Sequence, residues 1–193
     1  GTGSGKTECF MLPILAGIIA ERINKKSAEL NRWWRKRYEK GEIWRGVRDG
    51  LAEPKPAIRA LLLYPTNALV EDQISRLRLA ALRGLKRNGS PMFYFGRYTG
   101  ATSGGTFRPN GPLTSKTAAK VNELASEILD LEEESVKLAQ THPLDIRCQF
   151  PAPESGELIS RWDMINTPPD FLITNVAILN VMLLREHEEI GRA

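Results

Sequence analysis

Cysteine and histidine are scarce in this 193-residue chain, which holds only Cys9, Cys148, His142 and His187. So small a set excludes a disulfide-stapled scaffold and a four-ligand zinc site, and no structural metal site is expected. Long apolar runs are missing too. The longest near the start, Phe10–Ala20, is broken by Pro13 and Gly17. It is too short to span a bilayer and lacks signal-peptide flanks, so the expected compartment is the cytoplasm, with no membrane partner. Charge of one sign does not dominate: 27 Lys and Arg face 23 Asp and Glu, for a net +4. That balance suits a polyanionic partner without establishing one. The Asp-Glu dipeptide is absent, and so is an initiating Met: the chain opens at Gly1, inside a Gly-rich loop. A fragment of a longer protein is therefore expected.

What is present describes an ordinary folded domain. The hydrophobic share is 41% and the charged share 26%, which argues against wholesale disorder. The length suits one domain and is too short for two full ones. An apolar helical pattern runs from about Glu8 to Ile23. The run Ile58–Tyr64, ended by Pro65, fits a buried parallel strand. Thr66 can cap the next helix, whose buried face would carry Leu69, Ile74 and Leu77. Met92–Phe95 and Asp170–Thr174 are further strand candidates, the latter followed by a helix with Ile178, Leu179, Met182 and Leu183. Strands alternating with helices imply a parallel α/β sheet.

Two stretches interrupt that alternation. Residues 22–59 carry twelve basic and five acidic residues, a net +7 that leaves −3 for the rest of the chain. The basicity is local. Residues 101–169 hold a Gly/Pro-rich loop and then an acidic amphipathic helix from about Lys116 to Gln140, with Val121, Leu124, Ile128 and Leu131 in register. The run Glu132-Glu133-Glu134 reads as its solvated face, Cys9 as core, and His187 as exposed. Cys148 has no partners that would make it a nucleophile.

Gly1-Thr-Gly-Ser-Gly-Lys6-Thr7 matches the last seven residues of G-x-x-x-x-G-K-[ST]. Glycines let successive backbone N–H groups face phosphate oxygens without a Cβ clash, and the helix that follows adds its positive end. In this pattern Lys6 reaches the β- and γ-phosphates and the Thr7 hydroxyl ligates Mg²⁺. The expected cofactors are thus ATP and Mg²⁺, bound by Thr2, Gly3, Ser4, Gly5, Lys6, Thr7 and Glu8. Lys6 and Thr7 take the catalytic roles, with Thr7 on the metal.

These residues carry a resemblance. Thr2–Glu8 (TGSGKTE) looks like motif I of superfamily 2 DEAD/DEAH-box-like helicases. Tyr64–Gln73 (YPTNALVEDQ) resembles their motif Ia, Tyr98-Thr-Gly100 their Gly motif, and Pro169–Asn175 (PDFLITN) the segment that holds T-P-G-R. The wording is most similar to bacterial repair- and defence-type helicases. There are departures: Asn67 stands where many relatives have Arg, and Asn175-Val176 replaces the Pro-Gly step. The D-E-x-[HD] box and a second RecA-like domain are not found, and are expected to lie outside this chain. The 193 residues alone should therefore not hydrolyse ATP efficiently.

The resemblance implies an α/β, RecA-like P-loop NTPase domain with a parallel sheet. It is expected to be incomplete at both ends, spanning 1–193, with insertions at 22–59 and 101–169. In an open parallel sheet ligands bind at the carboxyl ends of strands, so the four motifs should share one rim. Pro65, Thr66, Asn67, Thr99, Gly100, Thr174 and Asn175 are the expected contacts to a nucleic-acid backbone, the alternative being plain helix caps and turns. Asn31–Tyr38 and Trp44-Arg45 place three of the four Trp among basic residues. Packing of these rings on the domain is favoured slightly over base stacking. The function implied is an ATP-dependent helicase or translocase acting on nucleic acid, DNA ahead of RNA, with room for partner subunits of a repair or defence complex. The alternatives are a translocase subunit of a phage-defence or restriction system and a non-catalytic nucleic-acid-binding module.

Overall fold

The computed structural model describes residues 6–22, 30–50, 55–105 and 107–181, with side chains from residue 9 onward. Helix α1 spans Lys6–Ala20, and a 3₁₀ turn follows at Trp33–Arg35. Then come β1 (Ala60–Tyr64), α2 (Asn67–Asn88), β2 (Phe95–Tyr98), α3 (Ser115–Thr141) and α4 (Leu144–Arg147). After a second 3₁₀ turn, β3 (Glu157–Leu158), α5 (Arg161–Asn166) and β4 (Phe171–Asn175) complete the order, and residues 176–181 are helical. The fold is α/β, with a four-stranded sheet in the order β1-β4-β2-β3. Every pairing is parallel.

Local chemistry accounts for the helix ends. The Thr66 hydroxyl accepts from the Leu69 N–H at the start of α2, and Gly89, in the left-handed region at φ 69°, closes it. Thr114 and Thr117 form a reciprocal capping box at the start of α3.

The sheet is covered on both faces. Met11, Leu15 and Ile18 of α1 and Val70, Ile74, Leu77 and Ala81 of α2 share one core cluster with Phe95, Phe171 and Ile173. The opposite cluster joins Val121, Leu124, Ala125 and Ile128 of α3 to Leu172, Trp162 and the residues of the basic stretch, Trp33, Trp34, Tyr38, Trp44 and Val47. Each fully buried side chain of this size contributes roughly 1.5–3 kcal/mol of transfer free energy. Trp33 meets Trp34 and Trp44 edge-on, with centroids 6.0 and 5.5 Å apart. The tryptophans therefore pack on the domain and offer no face to a base.

Buried carboxylates fasten the basic stretch, and two of them hold its arginines. Asp170, buried at the start of β4, pairs with Arg22 (3.0 Å), Arg48 (3.4 Å) and Arg59 (2.8 Å). Arg22 and Arg48 also lie over the Tyr94 ring. Burial lowers the Arg48 guanidinium to about 10, against the pull of Asp170. Glu132 of α3 accepts from the Trp34 indole (3.0 Å) and from Arg35 (2.9 Å). It is buried, which corrects the expectation of a solvated face. The buried residues Val121, Ala125, Ile128, Glu132 and Ser135 fall at helical spacing, so Glu132 continues the inner stripe.

Other expectations change as well. Cys9 is exposed, because the buried stripe of α1 runs through Met11, Leu15 and Ile18. The strand expected at Met92–Phe95 starts at Phe95: the MFYF run is largely buried, but pairing with β4 begins only there. β1 is half-exposed rather than buried, with Leu61 and Leu63 on the open face. Among the described residues β1 has one neighbouring strand and cover on one side. Residues 101–169 hold more than a loop and a helix, since β3 joins the sheet edge and α5 packs on β2. A Cβ at Gly96 would sit 2.6 Å from the Met164 sulfur and 3.2 Å from the Leu158 carbonyl oxygen, so a larger residue there would have to displace the Met164 side chain of α5. The first helix, expected to run to about Ile23, ends at Ala20 and gives way to a turn at residues 21–22. His187, Met182 and Leu183 lie outside the described residues.

Candidate nucleic-acid and nucleotide site

Parallel strands deliver their carboxyl ends to one side, and here the register is explicit. Tyr64 of β1 pairs with Asn175 of β4, and Tyr98 of β2 with Thr174. Neighbouring strands lie about 4.8 Å apart, so Pro65-Thr66-Asn67, Thr99-Gly100 and Thr174-Asn175 line one continuous rim. The sequence expectation that these three segments converge agrees with this geometry.

Their side chains divide into two groups. Pro65, Thr66, Asn67 and Gly100 are exposed. Thr99, Thr174 and Asn175 are buried, and their polar atoms hold the rim together. The Thr174 hydroxyl donates to the Tyr98 carbonyl at 2.6 Å, clipping β4 to β2 beyond the ladder. The Thr99 N–H donates to the Thr102 hydroxyl (2.9 Å), which donates in turn to the Arg97 carbonyl (2.7 Å). The Asn175 side-chain oxygen accepts from the Ile178 N–H (2.8 Å), capping the helical residues 176–181. Its amide nitrogen donates to the Asn67 oxygen (2.6 Å).

Sequence reasoning missed Arg161. This guanidinium donates to the Thr99 carbonyl (2.7 Å) and the Gly100 carbonyl (3.1 Å) and lies over the Tyr98 ring, fixing the turn after β2. No local pattern marks it, because its partners sit about sixty residues earlier. Arg97, near the rim, is ion-paired with Glu71 of α2.

For the nucleotide, Thr2, Gly3, Ser4 and Gly5 lie outside the described residues, as do the side chains of Lys6, Thr7 and Glu8. The start of α1 at Lys6, directly after the Gly-rich run, is described. The donor set fits a polyphosphate. A helix N-terminus, an ammonium group and a hydroxyl fall within two consecutive residues behind three glycines. A concavity of about 460 Å³ opens farther along the loop after β2, lined by Ser103, Gly104, Lys120, Glu123, Glu127 and Trp162 among others. Two carboxylates against one ammonium make it a poor cradle for phosphate.

The basic stretch is partly neutralised by its own anchors. Arg32 and Arg35 face Glu132, Lys36 pairs with Glu42, and Arg48 and Arg59 pair with Asp170. No group of His, Cys, Asp and Glu suited to a metal ion occurs among the described residues. No helix among them is long and apolar enough to cross a membrane.

Comparison with known proteins agrees with the motifs. Residues 1–90 match the family model described as DEAD/DEAH box helicase. The chain is similar to the Druantia protein DruE of Escherichia coli (strain UMEA 4076-1), at 30% identity over 237 aligned positions. That alignment takes in 97% of this chain and 11% of DruE, so the chain spans about a tenth of the length of the curated relative it matches. No solved structure matches it.

Proposed function

We propose that this chain, whose residues 1–90 match the DEAD/DEAH box helicase model and whose parallel α/β sheet fits the RecA-like fold of that family, forms the ATP-binding and nucleic-acid-binding part of an ATP-dependent helicase or translocase. The observation that carries this reading is the shared rim, where three motif segments follow three parallel strands in register. Residues 22–59 and 101–169 are read as insertions into that domain. DruE aligns across almost the whole chain, which supports treating the insertions and the motifs as one unit.

In this reading the N–H groups at the start of α1, the Lys6 ammonium and the Thr7 hydroxyl hold Mg²⁺-ATP, and Thr7 ligates the metal. Hydrolysis of the bound nucleotide supplies the free energy for stepping. The exposed Pro65, Thr66, Asn67 and Gly100 meet the phosphates of the tracked strand, and Thr99, Thr174 and Asn175 hold that surface in shape. Contacts of this kind position a backbone without reading sequence. DNA is the proposed strand and the cytoplasm the proposed compartment. Both rest on the resemblance to bacterial repair and defence helicases, in which partner subunits belong to the setting.

The direct test is Lys6→Ala in the full-length protein. ATPase stimulated by single-stranded DNA should fall by about a hundredfold or more, as expected when a preorganised charge on the transferring phosphoryl group is removed. Stimulated turnover that survives the change overturns the loop assignment. Stimulation by RNA but not DNA overturns the choice of strand.

A further inference from the structure

The two positions at which the rim departs from the family wording, Asn67 and Asn175, are hydrogen-bonded to each other. Their orientation follows from the network. The Ile178 N–H can only donate, so it must face the Asn175 oxygen. The Asn175 amide nitrogen is thereby turned toward Asn67, and Asn67 must answer with its oxygen. Asn175 is buried while Asn67 is exposed at the first position of α2. With its oxygen turned toward Asn175, the exposed Asn67 side chain has its amide N–H groups to offer, and these have no hydrogen-bond partner among the described residues.

We infer that Asn175 is a positioning residue that fixes the Asn67 side chain with its amide donor end toward the phosphate oxygens of the tracked strand. The inference rests on the reading of the rim as a nucleic-acid surface and deepens it. An unconstrained asparagine can turn either end outward, and half of its orientations would set a carbonyl against a phosphate. The buried partner removes that choice. The amide at position 175 accepts from Ile178 through its oxygen and donates to Asn67 through its nitrogen at once. An aspartate keeps the cap and loses the donor, and a glycine keeps neither.

The test uses the full-length protein and a fluorescein-labelled single-stranded DNA oligonucleotide. Asn67→Ala should weaken binding about tenfold, a size common for one well-formed polar contact to a charged group. Asn67→Asp still accepts from Asn175, and its charge suits a helix N-terminus. It should keep the melting temperature yet bind more weakly than Asn67→Ala. Asn175→Asp keeps the cap but lets the Asn67 amide turn over, and should weaken binding about tenfold. The decisive measurement is Asn175→Asp in the Asn67→Ala background, where it should change affinity less than twofold. Equal losses in both backgrounds would mean that Asn175 acts on the fold alone, and would overturn the inference. If the wild type binds the oligonucleotide and Asn67→Ala binds equally well, the inference fails and the proposed function stands. A wild type that binds no single strand overturns both.

Discussion

At the scale of single residues, the side chains that shape this domain are polar groups enclosed by hydrophobic ones. Asp163 is fully buried and accepts from the Ser160 hydroxyl (2.7 Å), the Val47 N–H (2.9 Å) and the Trp33 indole (3.1 Å). Burial pushes its carboxyl up to about 6, although those three hydrogen bonds pull it down. The folded state thus holds this proton more tightly than the unfolded chain does. The stabilisation linked to it is complete below about pH 4 and is lost as the pH rises through 6. Relative to Asp163→Asn, which cannot titrate, the wild type should lose on the order of 3 kcal/mol between pH 4 and pH 7. Parallel urea titrations of the two proteins across that range check this. A constant difference between them would show that Asp163 stays ionised throughout. Much of the residue-scale site was legible in the sequence. Thr66 and Asn67 stand where a strand-ending Pro65 and a helix-starting pattern meet, and local rules read such junctions well. The Thr174 clip to Tyr98 and the Asn67–Asn175 pair were not legible, because they join residues 76 and 108 positions apart. Nothing local encodes such a meeting.

At the scale of elements, the basic stretch has an architectural role that its composition concealed. Twelve cations and three tryptophans in 38 residues leave a strand-gripping surface close behind packing of the rings on the domain. Folding turns the rings inward and binds several of the cations to Glu132 and Asp170. Glu132 is the clamp on α3. Burial works to raise its carboxyl, but hydrogen bonds from Arg35 and Trp34 and the charges of Arg35 and Arg32 outweigh burial and hold it below its ordinary value. A depressed carboxylate stabilises the fold above its unfolded value of about 4.5, and the contribution disappears as the pH falls further. Glu132→Ala leaves the Trp34 indole without an acceptor and should cost about 1–3 kcal/mol at pH 7. Thermal melts at pH 7 and pH 3.5 test this, since the gap from wild type should narrow at the lower pH as the ionic part of the contact is lost. The misreading of Glu132 has a plain cause. A run of three glutamates suggests solvent, but a helix turns about 100° per residue, so the first of them falls on the inner stripe while Glu133 and Glu134 turn outward. Strand type was read from apolar runs, which report burial and not pairing. This explains why β2 began at the end of its hydrophobic run.

At the scale of the whole molecule, alternation of strand and helix was enough to give a parallel sheet with its motif segments on one side. It was not enough to reveal that residues 101–169 return to that sheet. β3 contributes only Glu157 and Leu158, and two residues carry too little period to be recognised. Among the described residues the outer strand of the same sheet is β1, with the sequence ALLLY and exposed Leu61 and Leu63. Natural edge strands commonly carry a lysine, a proline or a bulge that discourages further pairing, and β1 has no charged residue or proline within it. For anyone handling the 193-residue chain by itself, that is a matter of colloidal behaviour. Light scattering should rise with protein concentration well below the melting temperature. Leu61→Lys should suppress that rise and leave the melting temperature within a degree or two, since the side chain already meets solvent. Scattering that ignores the substitution would locate the association elsewhere. The strand that delivers Thr66 and Asn67 to the rim would then also set the conditions under which the purified chain stays in solution.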